Sequence, residues 1–285
     1  MSQIFVDYND QIIAEDTPIF TAKNRNFRYG DGLFETMRVV NGTLLFSNLH
    51  VQRLQKSMQV LKMTHPQLLT SNTLQEKVEK LCRINKISQS ARVRLSIYRK
   101  DGGYYTPECS ETNYLIEAEK YPETNFPINQ RGLITTIYAD MYKPSGILSN
   151  LKTSNSLVYV MAGLFKAKMN IDDTILFNEK GNICETSTSN LFLIKDGKIY
   201  TPSLQNGCIA GVMRAVVLSL LQQNNIPFEE GTLSSDFLQQ ADEAFTTNAI
   251  KGIQWIVGIG NKRYFNNTAL TLSKLLNESI INHNI

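Results

Sequence analysis

A single carboxylate precedes a run of small hydroxyl residues in the segment ICETSTSNLFL. Glu185 is followed by Thr186 to Ser189, by Asn190 and then by an apolar run typical of a strand. No lysine or arginine follows it before Lys195. A buried carboxylate needs a compensating positive charge, so that charge must come from elsewhere in the chain or from a bound group.

Lys152 is a candidate nucleophile. It lies in SNLKTSNSLVYVMAGLF, just before a predicted helix with Leu157, Met161 and Leu164 on one apolar side. A lysine held near a cation or in a dry pocket loses its proton readily and can then form a Schiff base with an aldehyde. A lysine at such a junction is also often an ordinary solvated residue, so its position alone leaves both interpretations open.

Three further groups could bind an anion. Arg53, in LHVQRLQKS, offers a planar fork that suits phosphate oxygens, although a lone arginine on a helix flank commonly only snorkels to solvent. The stretch Gly211 to Met213 opens an apolar helix whose first backbone N–H groups and dipole suit an anion, or its glycine only permits a tight turn. A hydroxyl and an amide follow in FTTNAIKGI, at Thr247 and Asn248.

Strands and helices alternate around these groups. IFVDY and LFETMRVV are predicted strands, and Asn41-Gly42 is a hairpin signal. Apolar spacing predicts a helix over residues 47–62, capped by Ser47 or Asn48, and a second over 74–85. Two strands follow, ARVRLSIYR and NYLIEAEKY, separated by the loop KDGGYYTPECSET.

A proline-containing linker, YPETNFPINQRG, separates two predicted domains. We expect a smaller N-terminal α/β domain over residues 1–124 and a larger C-terminal domain over 125–285. The second half contains predicted helices over residues 154–169 and 212–224 and a hairpin at LFLIKDGKIYTP. The pattern predicts a mixed α/β or α+β fold.

Composition excludes several classes of protein. With 285 residues, 42% of them hydrophobic, and a net charge of +3, the chain is typical of a globular protein whose scattered basic residues do not predict nucleic-acid binding. No signal peptide or membrane span is predicted, so we expect a cytoplasmic protein. The cysteine and histidine spacings predict neither disulfides nor a metal site.

Five blocks, taken together, resemble the class IV aminotransferases, the pyridoxal phosphate enzymes of fold type IV. The main block is GNICETSTSNLFLIKDGKIYTPSLQNGCIAGVMR, and the others are FRYGDGLFETMRV, HVQRL, LKTSNSL and FTTNAIKGI. They occur in the family's order from about residue 20 to residue 260. The resemblance implies two domains of the D-amino-acid aminotransferase-like type, with the active site between them.

The resemblance also implies a role for each matched residue. Lys152 matches the lysine that bonds to pyridoxal 5′-phosphate and then moves protons on the substrate. Glu185 matches the carboxylate that faces the cofactor's ring nitrogen and keeps it protonated, and Ile209 the aliphatic residue that packs on the ring. The phosphate-binding positions match Arg53, Gly211, Val212, Met213, Thr247 and Asn248.

Within the family, the blocks resemble most the 4-amino-4-deoxychorismate lyases, which release pyruvate to leave 4-aminobenzoate for folate synthesis. Asn248 favours this group, because the branched-chain and D-amino-acid transaminases generally carry Thr or Ser there. The D-amino-acid enzymes also bind the substrate carboxylate through an Arg-x-His pair, where this chain has Tyr104 and Thr106. Tyr104 also replaces an arginine that the lyases often carry. A branched-chain or D-amino-acid transaminase acting with 2-oxoglutarate therefore stays an alternative.

A substrate that carries carboxylates needs cationic partners. Arg94 ranks before Arg28, with Arg38 a further candidate; Arg92 shares a strand face with Arg94 because side chains alternate. The resemblance places Tyr29 and Phe34 in the wall of the substrate pocket.

The resemblance implies a homodimer, since the family is usually dimeric. A catalytically silent protein of the same fold is the alternative from another class, since a fold does not fix a function. The presence of both Lys152 and Glu185 argues against it.

Overall fold

The computed structural model describes residues 3–67 and 69–281. They divide into two compact units, one within Met1–Asn125 and Leu151–Asn155, the other within Phe126–Asn150 and Ser156–Ile285. None of the helices in the described ranges is long and apolar enough to cross a membrane.

The first unit is built on a six-stranded sheet with the strand order β2-β1-β6-β5-β3-β4. Its strands are β1 (Phe5–Tyr8), β2 (Gln11–Ala14), β3 (Gly32–Val40), β4 (Thr43–Leu44), β5 (Ser90–Arg99) and β6 (Thr112–Lys120). All the pairings in this sheet are antiparallel. The hairpin predicted at Asn41-Gly42 is confirmed, and both residues have the positive φ that a tight two-residue turn requires.

Three helices accompany this sheet: α1 (Arg25–Tyr29), α2 (Ser47–Val60) and α3 (Ser71–Ile84). The apolar sides of α2 and α3 join the core on one face of the sheet, where β5 contributes Val93, Leu95 and Ile97. The prediction that Ser47 or Asn48 caps α2 is wrong. The cap is Phe46, with a left-handed backbone and no side-chain hydrogen bond.

The second unit is built on a nine-stranded mixed sheet with the order β12-β11-β10-β13-β14-β7-β8-β9, and β15 also pairs with β14. Its strands are β7 (Leu133–Ile137), β8 (Asp173–Phe177), β9 (Ile183–Thr186), β10 (Asn190–Lys195), β11 (Lys198–Pro202), β12 (Phe228–Gly231), β13 (Glu243–Asn248), β14 (Gly252–Ile259) and β15 (Lys262–Arg263). All five residues of β8 are buried. This fits its position between β7, to which it runs parallel, and β9.

The helices of this unit are α4 (Leu157–Met169), α5 (Val212–Gln223), α6 (Ser235–Gln240) and α7 (Asn267–Ile281), with a short 3-10 helix at Leu204–Asn206. Helix α4 begins three residues later than the sequence predicts. The backbone just before α4 forms hydrogen bonds with β3 instead. Phe34 N donates to Lys152 O at 2.9 Å, and Ser154 N donates to Gly32 O at 2.9 Å. Residues 152–154 therefore follow β3 instead of starting the helix.

Candidate functional site

Lys152 lies against β3 in the first unit. Its backbone is held by the hydrogen bond from Phe34, and the neighbouring Thr153 forms a bridge with Leu33. Its ammonium lies over the Phe34 ring, 4.2 Å from the centroid. The guanidinium of Arg94 contacts the same ring at 4.1 Å. The structure thus brings together three residues that the sequence analysis selected separately.

Arg94 makes weaker contacts with protein acceptors than Arg92 and Arg38, which lie on the same face of the sheet. Its contacts with protein acceptors are long, 3.3 Å to Ser96 Oγ and 3.9 Å to Glu117. By contrast, Arg92 donates to Glu119 at 2.6 Å, and Arg38 stacks on Tyr121 while donating to backbone carbonyls. Partial burial lowers the pKa of Arg94, and Glu117 opposes that shift. Among these three arginines, Arg94 therefore has the longest hydrogen bonds to protein acceptors.

Arg53 binds the buried carboxylate of Glu35. Glu35 follows Phe34 on β3, so the two side chains lie on opposite faces of the strand. Its fork donates to both oxygens of Glu35, with Nε at 2.7 Å from Oε1. His50, one helical turn away from Arg53, donates from Nδ1 to Glu35 Oε2 at 2.6 Å. Burial alone would raise the pKa of Glu35, but Arg53 and His50 lower it to about 2. Glu35 is therefore ionised and fixes the orientation of Arg53.

Arg28 and Tyr29 lie at the end of α1, before β3 begins. Arg28 is exposed and donates to Ala22 O at 2.8 Å. Tyr29 packs against Tyr105, with ring centroids 5.5 Å apart. Within the described residues, neither side chain has a recorded contact with Phe34 or Arg94. The predicted roles of Arg28 and Tyr29 at the substrate stay predictions.

Glu185 in the second unit is surrounded by donors. Lys143 Nζ lies 2.5 Å from Oε1, and Tyr159 Oη donates to the same oxygen at 2.8 Å. The backbone N–H of Ile209 donates to Oε2 at 2.9 Å, and Asn190 Nδ2 lies 3.4 Å from that oxygen. Burial and the nearby Glu185 raise the pKa of Tyr159, so its hydroxyl stays a donor. The cation that the sequence left unidentified is, within the chain, Lys143.

The contact between Lys143 and Glu185 bears on which lysine could bond to the cofactor. In pyridoxal phosphate the aldehyde and the ring nitrogen lie at opposite ends of the ring. A lysine in direct contact with the carboxylate that faces the nitrogen cannot also reach the aldehyde. Under the role that the resemblance implies for Glu185, Lys143 therefore cannot be the cofactor-bonding lysine.

The start of helix α5, which the sequence predicts to bind an anion, lies in the same unit as Glu185. Helix α5 begins after Gly211 without a side-chain cap, so the N–H groups of Val212 and Met213 have no intrahelical acceptor. A Cβ on Gly211 would lie 1.9 Å from Asn190 Oδ1, so a larger residue there would displace the Asn190 amide. Thr247, which pairs with Asn190 across β10 and β13, has a buried hydroxyl with no hydrogen-bond partner among the described residues.

The hydroxyl run after Glu185 serves a second carboxylate. Thr186 and Thr188 donate to Asp173 Oδ2 at 2.8 Å, and Ser187 donates to Oδ1. Asp173 is buried and fixes this turn by accepting these bonds. The run is thus explained by a residue that the sequence analysis did not select.

Asn248 continues this arrangement. It donates from Nδ2 to Ser189 Oγ at 2.9 Å, while its Oδ1 accepts from the N–H groups of Ile250 and Lys251. The amide of Asn248 thus stabilises a turn.

These residues fit a pyridoxal phosphate cofactor. The orphaned Thr247 hydroxyl and the uncapped start of α5 supply unused donors for a phosphate. Glu185 is a buried carboxylate that already contacts one cation, Lys143, and such a group suits a protonated ring nitrogen. Its Oε2 has one acceptor position filled only by the 3.4 Å contact from Asn190.

The orphaned hydroxyl leads to a prediction in which stability and affinity change in different directions. We expect Thr247→Val to raise the dissociation constant of pyridoxal phosphate about tenfold, because a hydrogen bond to a charged group is lost. The cofactor-free protein should keep or increase its melting temperature, since a buried unpaired polar group is removed. Calorimetry and cofactor titration measure both. Thr246→Val is the matched control, and equal effects of the two substitutions on affinity would contradict the assignment.

Several residues of these clusters were not selected from the sequence. His50 and Arg53 stand three apart on one helix, so a shared partner could have been predicted from their spacing. Lys143 and Glu185 are 42 positions apart, and no local pattern connects them. The same holds for Tyr159.

Comparison with known proteins identifies the family. The amino-transferase class IV model matches residues 32–259. An aminodeoxychorismate lyase from Vibrio harveyi is 28% identical over 83% of this chain and 86% of its own length. A D-alanine aminotransferase from Staphylococcus aureus strain N315 is 26% identical over 87% of this chain and 86% of its own.

A solved structure shares the fold. The branched-chain aminotransferase from Thermoproteus uzoniensis has a TM-score of 0.87 at 21% identity, covering 98% of this chain and 95% of the other. This likeness confirms the predicted fold type IV architecture. The matches also confirm the predicted cofactor, because enzymes of this family use pyridoxal 5′-phosphate. The chain therefore belongs to the class IV aminotransferases and is a pyridoxal phosphate-dependent enzyme.

Proposed function

We propose that this enzyme is a 4-amino-4-deoxychorismate lyase, which releases pyruvate from 4-amino-4-deoxychorismate and leaves 4-aminobenzoate. The reported Vibrio harveyi relative carries the name of this activity. Asn248 supports the same assignment, because the lyases resemble this chain at that position. The proposal also assigns the binding of the cofactor to Lys152, Glu185, Ile209, Arg53 and the first backbone N–H groups of α5.

One observation carries the proposal. The ammonium of Lys152 and the guanidinium of Arg94 contact the same aromatic ring, that of Phe34, at 4.2 Å and 4.1 Å. An amine that can move protons and a fork that can bind a carboxylate therefore contact the same side chain. A substrate with an amino-bearing carbon and a carboxylate needs this combination.

The proposed function gives a separate task to each of four residues. The bound cofactor supplies an aldehyde for the substrate amine and a ring that withdraws electrons. Lys152 takes and returns the proton at the carbon that bears the substrate nitrogen. Arg94 binds a substrate carboxylate through its fork, and Phe34 provides an apolar wall that excludes water. Glu185 presents its negative charge to the ring nitrogen.

A transaminase is the second candidate, supported by the Staphylococcus aureus and Thermoproteus uzoniensis relatives. The D-amino-acid enzymes' Arg-x-His pair is replaced by Tyr104 and Thr106, and the Tyr104 side chain is exposed. That replacement weighs against a D-amino-acid substrate. It does not weigh against a branched-chain substrate, whose carboxylate could be bound by Arg94.

A paired assay separates the two activities. The purified enzyme is incubated with 4-amino-4-deoxychorismate, and 4-aminobenzoate and pyruvate are quantified. In parallel it is incubated with L- and D-amino acids plus 2-oxoglutarate, and amino transfer is quantified. We expect equal amounts of the two lyase products. Amino transfer without 4-aminobenzoate would reject the lyase and retain the family.

The proposed function includes a homodimer, and helix α4 supports it. This helix is strongly apolar, yet only Ala162 is buried, whereas Leu157 and Leu164 are 68% and 61% exposed. An apolar helix face of this kind marks an interaction surface. We expect light scattering to give twice the chain mass and Leu164→Glu to shift the mass toward the monomer. Lys168→Glu is the exposed control on the same helix, and a monomeric, fully active native enzyme would contradict the dimer.

A further inference from the structure

Lys143 and Glu185 form a buried ion pair on the carboxylate that the proposed function gives to the ring nitrogen. Their side chains are 6% and 4% exposed, and Nζ lies 2.5 Å from Oε1. The backbone of Lys143 is fixed as well, since its N–H donates to Phe177 O at 2.8 Å. Removing two charges from water costs several kcal/mol per ion. If this position served packing alone, an apolar side chain would fill it without the cost of burying a charge.

The carboxylate of Glu185 is already almost fully occupied by the protein. An ionised carboxylate has about four acceptor positions. Lys143, Tyr159 and the Ile209 N–H fill three of them at 2.5–2.9 Å. The fourth is approached by Asn190 Nδ2 at 3.4 Å, and this amide also donates to Ile209 O at 2.9 Å. One further donor can therefore join at little cost.

We propose that Lys143 compensates the charge of Glu185 in the cofactor-free protein and shares this carboxylate with the ring nitrogen once the cofactor is bound. The inference rests on the role that the proposed function gives to Glu185. The ring nitrogen then faces a carboxylate whose negative charge is already partly neutralised by Lys143. The lysine thus limits how strongly Glu185 favours a cofactor that carries a ring nitrogen.

A cofactor analogue isolates this effect. In 1-deazapyridoxal phosphate a carbon replaces the ring nitrogen, while the aldehyde and the phosphate are kept. The ratio of the two dissociation constants reports the interaction at the nitrogen, because effects of Lys143 on the phosphate cancel. We expect Lys143→Met to increase the preference for the natural cofactor about tenfold, since the ring N–H then becomes the main cation for Glu185.

The controls separate charge pairing from general damage. Lys180→Met removes an exposed lysine from the same unit, and Lys143→Arg keeps the positive charge. Both should retain the native ratio of dissociation constants. If the ratio in Lys143→Met equals that of the native protein, or shifts toward the analogue, Lys143 does not share the carboxylate with the ring, and the inference is overturned.

A second measurement needs no cofactor. Removing one partner of a buried pair leaves an uncompensated charge, so Lys143→Met should lower the melting temperature of the cofactor-free protein by about 5–10 °C. Glu185→Gln should also lower it. The double substitution Lys143→Met/Glu185→Gln should recover most of the lost melting temperature, because neither charge is then left without its partner. A double variant less stable than both single variants would reject the pairing.

These measurements do not depend on the reaction. Failure of the proposed function would be seen as native enzyme that produces no 4-aminobenzoate while the melting temperatures and the binding ratio follow the expectations above. Failure of the inference would be seen as native lyase activity together with an unchanged ratio in Lys143→Met.

Discussion

Lys152→Ala is expected to lower kcat by about 10³-fold or more, because the proposed function makes Lys152 both the group that bonds to the cofactor and the proton carrier. The yellow colour of the bound cofactor should shift or disappear for the same reason. The fold should survive, since the contact of the Lys152 ammonium with the Phe34 ring contributes about 0.5–1 kcal/mol. Steady-state kinetics, absorbance spectra and melting temperatures measure the three effects.

Two further variants sharpen this test. Lys152→Arg keeps the cation over Phe34 but cannot lose its proton, so it should be as inactive as the alanine variant. Lys143→Arg alters the other lysine discussed here and should keep the bonded cofactor. Retention of colour and turnover by Lys152→Ala, with their loss in Lys143→Arg, would reverse the assignment of the two lysines.

The sequence predicted the parts of the fold that follow from local chemistry. Asn41-Gly42 marked its hairpin because a tight turn needs two residues with positive φ, and this is observed. The start of α4 was missed because residues 152–154 bond to β3, a strand more than 100 positions earlier. Apolar spacing identifies a helix, but it does not reveal a competing backbone partner.

The same limit applies to the candidate site. Glu185 was selected because a carboxylate without a nearby cation needs one, and the structure supplies Lys143 from 42 positions away. The hydroxyls after it were visible in the sequence, whereas their acceptor, Asp173, was not. Short-range spacing therefore indicates which residues require partners. The sheet register decides which partners they meet.

Acid stability depends on the cluster around Glu35. Its pKa is lowered from an ordinary 4.5 to about 2 in the folded protein, so the unfolded chain binds the proton more tightly. The resulting stabilisation is fully present above about pH 4.5 and is lost as the pH falls toward about pH 2. Its size is about 3 kcal/mol, at 1.36 kcal/mol per pKa unit. His50 acts in the same direction at higher pH, because burial lowers its pKa and the unfolded state takes up the proton first.

Glu35→Gln should therefore reduce the free energy of unfolding at neutral pH by about 3–5 kcal/mol, since the charge of Arg53 loses its buried partner. It should also flatten the loss of stability between about pH 4.5 and about pH 2. Urea unfolding as a function of pH measures both effects. Glu111→Gln removes an exposed carboxylate paired with Lys100 and should leave the native profile unchanged. Parallel pH profiles for Glu35→Gln and the native protein would show that Glu35 does not carry the acid sensitivity. If stability falls as expected but cofactor affinity does not, the orientation of Arg53 by Glu35 is not needed to bind the phosphate.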